Sequence, residues 1–233
     1  KTGIDNVIIE ASSHGLNQGR LNGINFTAGV FTNFSQDHLD YHKSMKNYFN
    51  AKMILLSKLL REKKSLITDS KIKEFKKIKK IARKKNLKII TIKKNLYHNS
   101  NQIKNLIGAF QIKNLLMAIE VAKISGLKNK KIIQVLKSIA SVEGRLQIVK
   151  KLPNKAKVLI DFAHTPDALE TVLSSLKDVY GKNITIVFGC GGERDKNKRS
   201  LMAKIASKFC NKIYITDDNP RRENPSKIRK TLI

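Results

Sequence analysis

Residues 157–216 read KVLIDFAHTPDALETVLSSLKDVYGKNITIVFGCGGERDKNKRSLMAKIASKFCNKIYIT. Short apolar, β-branched runs at 157–162, 184–188 and 213–216 alternate with stretches of helical spacing at 167–179 and 199–209. Runs of this kind suit buried strands, and the intervening lengths suit crossover helices. Consecutive βαβαβ is the doubly wound pattern, a parallel sheet flanked by helices. Such sheets take their ligands at the carboxyl ends of the strands, so the residues that follow each strand are the informative ones.

Upstream, the same alternation continues. Strands are expected at residues 7–10, 28–34, 66–68 and 88–92, and helices at 43–61, 110–125 and 130–140. Gly126 stands where a helix C′ glycine belongs. The pattern predicts an α/β chain whose first part is a mostly parallel sheet with flanking helices, followed by a Rossmann-like second part. The boundary falls between 1–142 and 143–233, with a hinge near residues 141–144. No internal repeat occurs.

Composition narrows the class. The chain has 233 residues, 41% of them hydrophobic, enough to bury a real core and suited to two domains about as well as to one. No apolar run approaches the ~18 residues of a membrane span. The opening residues, Lys1 to Asp5, form no signal-like stretch and lack an initiator Met, so the natural N-terminus is expected upstream. Cys190 and Cys210 make neither a disulfide framework nor a CxxC pair, which suits reduced thiols in the cytoplasm. The net charge is +29, from 47 Lys and Arg against 18 Asp and Glu. Nucleic acid is one reading of that charge. The densest run, 71–94, carries Ile72, Phe75, Ile78 and Ile81 or Ala82 at helical spacing, which also suits a solvated basic face on a surface helix. Base-stacking aromatics are sparse there, so no specific nucleic-acid partner is expected. A positive surface still attracts anionic substrates.

Several residues at strand ends can carry chemistry. Glu10 closes the first expected strand, as a Walker-B acid does beside Mg²⁺ and phosphates. Asp37, His38, Asp40 and His42 lie within six residues, a set able to hold a metal or to cap a turn. On the helix that follows, Met45, Tyr48, Lys52, Leu55 and Leu59 share one face. Lys52 thus lies on an inward stripe, where a lysine either snorkels to water or meets an anion. Asp161 ends a strand ahead of Thr165-Pro166-Asp167, a helix start. Residues 189–195, GCGGERD, resemble a phosphate loop, but Arg194 takes the third glycine position of GxGxxG. Arg194 and Arg221, both after strands, can form a carboxylate clamp. No GxxxxGK[ST] sequence is present, so the isolated 233 residues are expected neither to bind ATP tightly nor to turn over.

In this order, EASSHGL, VFTNFSQDHLDYH, YFNAK, GAFQIKN, EGRLQIV, IDFAHTPDALE, VFGCGGERDKNKR and DDNPRRENP resemble the motifs of the Mur ligases, and they cover nearly the whole chain. The resemblance implies the later part of the central ATPase domain followed by most of the C-terminal Rossmann-like domain. It leaves the UDP-binding domain, the P-loop and the final segment outside the chain. The stretch between Thr91 and Gly108 looks shorter than in familiar members.

What the resemblance implies for individual residues is as follows. Glu10 and His38 match Mg²⁺ ligands, and Lys52 matches the lysine that CO₂ carbamylates into an anionic Mg²⁺ ligand. Ser12 and Arg20 match contacts to the UDP-N-acetylmuramoyl dipeptide. Asn114 matches an adenine-side contact; Arg145 and Asp161 match ATP contacts, with His164 beside them. Arg194, Asn219 and Arg221 match the site for the incoming amino acid. The DNPR form at 218–221 resembles members that add meso-diaminopimelate, whose second carboxylate an arginine can pair. The implied activity is ATP-dependent amide formation on a peptidoglycan precursor. A member adding L-lysine, a dinucleotide oxidoreductase and a basic nucleic-acid-binding module are the other readings.

Overall fold

The computed structural model describes residues 3–92, 106–181 and 183–233, in which the chain forms two compact units. The first comprises Lys1–Phe34, His42–Gln102 and Lys113–Ser138; the second comprises Ser35–Tyr41, Ile103–Ile112 and Ile139–Ile233.

The first unit is built on β1 (Phe26–Phe31), β2 (Leu60–Thr68) and β3 (Lys88–Thr91), parallel and adjacent in that order. Helix α1 (Ser13–Asn17) precedes β1 and α3 (Met45–Ile54) follows it; the short α2 (Leu39–His42), between them in sequence, belongs to the second unit except for His42. Ser44 starts α3 as its N-cap, with Oγ accepting from the Asn47 N–H at 3.1 Å, which satisfies one of the helix's orphan donors. Helix α3 then widens into a π-turn, Leu55–Leu59, and passes into β2 without a loop. The helix expected to run to residue 61 therefore ends early, and β2 begins six residues before the expected strand at 66.

Leu66, Ile67 and Thr68 of β2 are fully buried. So are Leu56 and Leu60, and so are Ile78 and Ala82 on α4 (Phe75–Lys84). A fully buried Leu or Ile side chain contributes roughly 1.5–3 kcal/mol before entropy is charged, so these few residues dominate the unit. The lysine-rich run is thus a surface helix packed by Ile78 and Ala82. Helices α5 (Ala109–Ile124) and α6 (Asn129–Leu136) follow. Gly126, at φ +89°, ends the path of α5 in the left-handed region, as its position implied.

Residues 7–10 are not a strand. They carry no regular secondary structure and are exposed, with Ile8 at 88%. An apolar run becomes a strand only when a neighbour takes its backbone groups, and among the described residues none pairs with it.

The second unit holds β4 (Gln147–Lys151), β5 (Lys157–Ile160), α7 (Pro166–Tyr180), β6 (Thr185–Phe188), α8 (Asn197–Phe209), β7 (Lys212–Ile215) and α9 (Pro225–Lys230). The expected order β5-α7-β6-α8-β7 is present, and β6 and β7 pair in parallel. The pairing of β5 differs from the expectation: it forms an antiparallel ladder with β4. The turn between them is tight, with Leu152 N–H donating to Ala156 O at 2.8 Å and Lys155 at φ +66°, so a local hairpin partner claims the strand. Leu169, Leu173, Met202, Ile228 and Leu232 form the core of this unit. Thr165 caps α7 with Pro166 in its first turn. Asn224 caps α9, its Oδ1 accepting from Ser226 and Lys227. Cys190 is buried, which pushes its thiol up from the ordinary value. Among the described residues no helix is long and apolar enough to cross a membrane.

Candidate active site

In the first unit, Ser12 is the N-cap of α1, its Oγ accepting from the Gly15 N–H at 3.1 Å. The Arg20 N–H donates to Gly15 O at 2.9 Å. A Cβ at Gly15 would lie 3.1 Å from Ser12 Oγ and 3.8 Å from Arg20 Cδ. One glycine therefore separates the two residues expected to meet the dipeptide, and the structure brings them together. Glu10 lies just upstream and is exposed.

Lys52 is half-buried on α3, with its Nζ 5.1 Å from the centre of the Tyr48 ring. That ring is buried and sits 5.3 Å from the His42 imidazole. His42 Nε2 lies 2.9 Å from Ser13 Oγ, both groups being buried. A chain of contacts thus runs from the start of α1 through His42 and Tyr48 to the Lys52 amine. An ammonium over an aromatic face is attracted by the ring quadrupole, so the inward stripe read from the sequence ends at a lysine held by its surroundings. Asn114 is exposed on α5. A groove of about 470 Å³ beside α3 and α4, lined by Phe34, Lys46, Phe49, Glu74 and Lys77 among others, contains none of the expected site residues.

In the second unit, the Asp37 carboxylate lies 3.3 Å from His38 Nε2 and 3.8 Å from His164 Nε2. His38 adopts φ +55°, and its N–H donates to Asp37 Oδ1 at 2.8 Å. Lys198 donates to the His164 carbonyl at 2.7 Å. Arg194 reaches Asp40 at 3.6 Å, and Gln36 donates to Asp195 at 3.1 Å. Residues 36–40 therefore lie against the ends of both expected ligand loops, and His38, His164 and Arg194 gather around two carboxylates. Asp161 accepts from the Leu146 N–H and the Ala163 N–H, each at 2.8 Å. Arg145 is exposed, its guanidinium 5.3 Å from the Phe162 ring. Asp161 and Arg145 thus face the same short turn.

The loops at 189–195 and 217–224 meet backbone to backbone. The Gly192 N–H donates to Asn219 O at 2.9 Å, and Arg221 Nη1 donates to Gly192 O at 2.7 Å. A Cβ at Gly192 would lie 1.9 Å from Pro220 O, and one at Gly189 would lie 2.4 Å from Thr216 O. Only glycine permits that approach. Beneath the loops, Arg199 is 3% exposed and forks onto Glu223 through Nη1 and Nη2, both at 3.0 Å. Its Nη2 also donates to Gly191 O at 3.3 Å. Hydrogen bonds from Arg199 and from the Glu193 N–H hold the Glu223 carboxyl down at about 2. Neither partner of this pair was legible in the sequence, because a buried arginine is recognised only with its carboxylate, here 24 residues away.

Among the described residues no group of three or more His, Cys, Asp or Glu side chains is placed to hold a metal ion. Glu10 and Lys52 belong to the first unit and His38 to the second.

The Mur ligase middle domain matches residues 1–105, and the Mur ligase glutamate ligase domain matches residues 144–233. A Rickettsia bellii protein named UDP-N-acetylmuramoyl-L-alanyl-D-glutamate–2,6-diaminopimelate ligase is 39% identical over 256 residues, spanning 100% of this chain and 53% of its own length. The Bacillus cereus protein of that name is 36% identical, spanning 99% and 52%. A solved structure bearing the same name superposes with a TM-score of 0.58 at 31% identity, covering 95% of this chain and 50% of that one. The E. coli FolC structure in complex with DHPP and ADP shares the fold, with a TM-score of 0.66 at 18% identity, covering 90% and 52%. The chain spans about half the length of the curated relatives it matches. With two domains of one family in sequence along it, the chain belongs to the Mur ligase family.

Proposed function

We propose that the full-length protein carrying this sequence adds meso-diaminopimelate to UDP-N-acetylmuramoyl-L-alanyl-D-glutamate, at the expense of ATP, in the cytoplasm. The observation that carries this reading is the loop pair that sets Asn219 and Arg221 against the GGER turn bearing Arg194. Two guanidinium groups on adjoining loops suit an amino acid with two carboxylates, since each carboxylate can take a forked pair of N–H bonds. The names of the R. bellii and B. cereus relatives agree. The domain boundary belongs to the same reading and falls at 142/143.

ATP phosphorylates the D-glutamate side-chain carboxylate, giving an acyl phosphate and ADP. An amine of diaminopimelate attacks the acyl carbon, and the tetrahedral adduct expels phosphate to leave the amide. Ser12 and Arg20 hold the dipeptide, Arg145, Asp161 and Asn114 contact ATP with His164 beside them, and Arg194, Asn219 and Arg221 orient the amine. This is catalysis by positioning and electrostatics. The donor chemistry fits Mg²⁺ on one condition. Glu10 offers carboxylate oxygen and His38 an imidazole nitrogen, but Lys52 becomes an oxygen ligand suited to a hard cation only once carbamylated. When bound, Mg²⁺ would neutralise charge on the transferring phosphoryl group.

The test is ADP release by the full-length protein with the dipeptide, ATP and competing amino acids. Diaminopimelate should support turnover and L-lysine should not; the reverse preference overturns the substrate assignment. Lys52→Ala should lower turnover by about 100-fold or more, the scale of losing one electrostatic group at a reacting centre. Unchanged activity would remove the carbamate role.

A further inference from the structure

We propose that Arg199 and Glu223 are a positioning pair for the amino-acid acceptor. They hold the 189–195 loop on the 217–224 loop so that Arg194, Asn219 and Arg221 present one carboxylate-binding surface. The proposal rests on the reading of that surface as the acceptor site.

Four observations converge on it. First, Arg199 is 3% exposed in the opening turn of α8, a place that costs a cation dearly unless it is paired. Second, its fork takes both Glu223 oxygens while Nη2 also binds Gly191 O, so one guanidinium grips both loops. Third, Glu223 Oε1 also accepts from the Glu193 N–H, beside Arg194. Fourth, each loop carries a non-glycine residue in the left-handed region, Glu193 at φ +52° and Arg221 at φ +51°. Backbone of that kind persists only where its surroundings over-determine it. The carboxylate fixes the first of these residues directly. The Arg221–Gly192 and Gly192–Asn219 bonds fix the second through the joined loops.

The pair touches no expected substrate residue side chain to side chain. Its action is on where Arg194 and Arg221 stand, and a lysine at position 199 would keep the charge while losing the fork. Weakening the pair should therefore raise the KM for the acceptor far more than the KM for ATP or for the dipeptide.

The experiment uses the full-length protein and begins with wild type, to establish which amino acid it accepts. If L-lysine rather than diaminopimelate is used, the substrate reading fails and the pair is tested with L-lysine instead. Glu223→Gln and Arg199→Lys are then compared with wild type by steady-state kinetics and by melting temperature. The expected result is a rise of about 10-fold or more in acceptor KM for Glu223→Gln, with the ATP and dipeptide KM values within about twofold. A high acceptor concentration should recover most of kcat, and Arg199→Lys should fall between wild type and Glu223→Gln. A lowered melting temperature with all three KM values unchanged, or rising together, overturns the proposal and leaves the pair a structural one. If Glu223→Gln fails to fold, Arg199→Lys alone decides by the same split between acceptor and ATP KM.

Discussion

The apolar end of β2 and the short strand β6 are covered to different extents: Ile186 and Phe188 of β6 pack on the core of the second unit, while the residue between them faces out. Leu66 and Ile67 of β2 are fully buried between β1 and β3. Val187 of β6 is 65% exposed, and Tyr214, its register partner on β7, is 58% exposed. The first unit is held by apolar burial reaching into its sheet, whereas in the second the loops at the strand ends are held by hydrogen bonds and an ion pair. A change in the first kind of region alters stability; a change in the second alters where functional groups stand.

The sharpest way to break this contrast is Leu66→Ala. It should cost about 2–5 kcal/mol, the range for truncating a buried leucine with partial collapse of the cavity. A chain of two units need not unfold in one step, so the loss is best read as faster hydrogen exchange of β2 amides, with β6 amides unaffected. Thr165→Ala removes a cap whose Oγ1 accepts from the Ala168 N–H at 3.3 Å. It should cost about 1 kcal/mol, confined to the first turn of α7. Val187→Thr should stay within about 0.5 kcal/mol, as exposed substitutions do; a larger loss would mean that this face is covered in the full-length protein.

Acid provides the finest comparison. The Glu223 carboxyl is lowered from 4.5 to about 2, so its contribution is complete above the ordinary carboxylate value. It fades as pH falls from about 4.5 towards about 2. Between neutrality and pH 5 the stability difference between wild type and Glu223→Gln should be flat, and it should shrink only below that window. Paired denaturation curves at several pH values check this.

Most helices and strands were legible because their apolar spacing matches what they bury: α4 through Ile78 and Ala82, α7 through Leu169, Val172 and Leu173. The misreadings have distinct causes. The apolar run at 7–10 finds no ladder among the described residues. The lysine-rich start of β2, with Lys63 at φ +64°, concealed six residues of strand, the first two of them within an apparent helix. Strand β4 (QIVKK) offers little alternation: Ile148 and Val149 are adjacent and both exposed, and two lysines follow them. Helix α9 was readable in principle, since Asn224-Pro225 is a cap followed by a first-turn proline. The shortened stretch noted between Thr91 and Gly108 lies mostly outside the described residues. Among the site residues, helical spacing marked Lys52 and strand-end positions marked Asp161 and Arg221, while Ser12 was visible only through the resemblance. Arg199 and Glu223 were invisible because each has meaning only beside the other.

The π-turn between α3 and β2 has a consequence for the lysine three residues before it. With no loop to absorb error, the azimuth of Lys52 is inherited from the phase of the β2 ladder at one end and set by the Ser44 cap at the other. Removing a single residue from Leu55–Leu59 would turn the helix by about 100° relative to the strand. Lys52 and Tyr48, four residues apart on that helix, would turn together away from their present direction while every side chain around them remained chemically intact. The wide turn thus acts as a mechanical stop, and the direction in which the amine points is written into the length of the chain as firmly as into its residues.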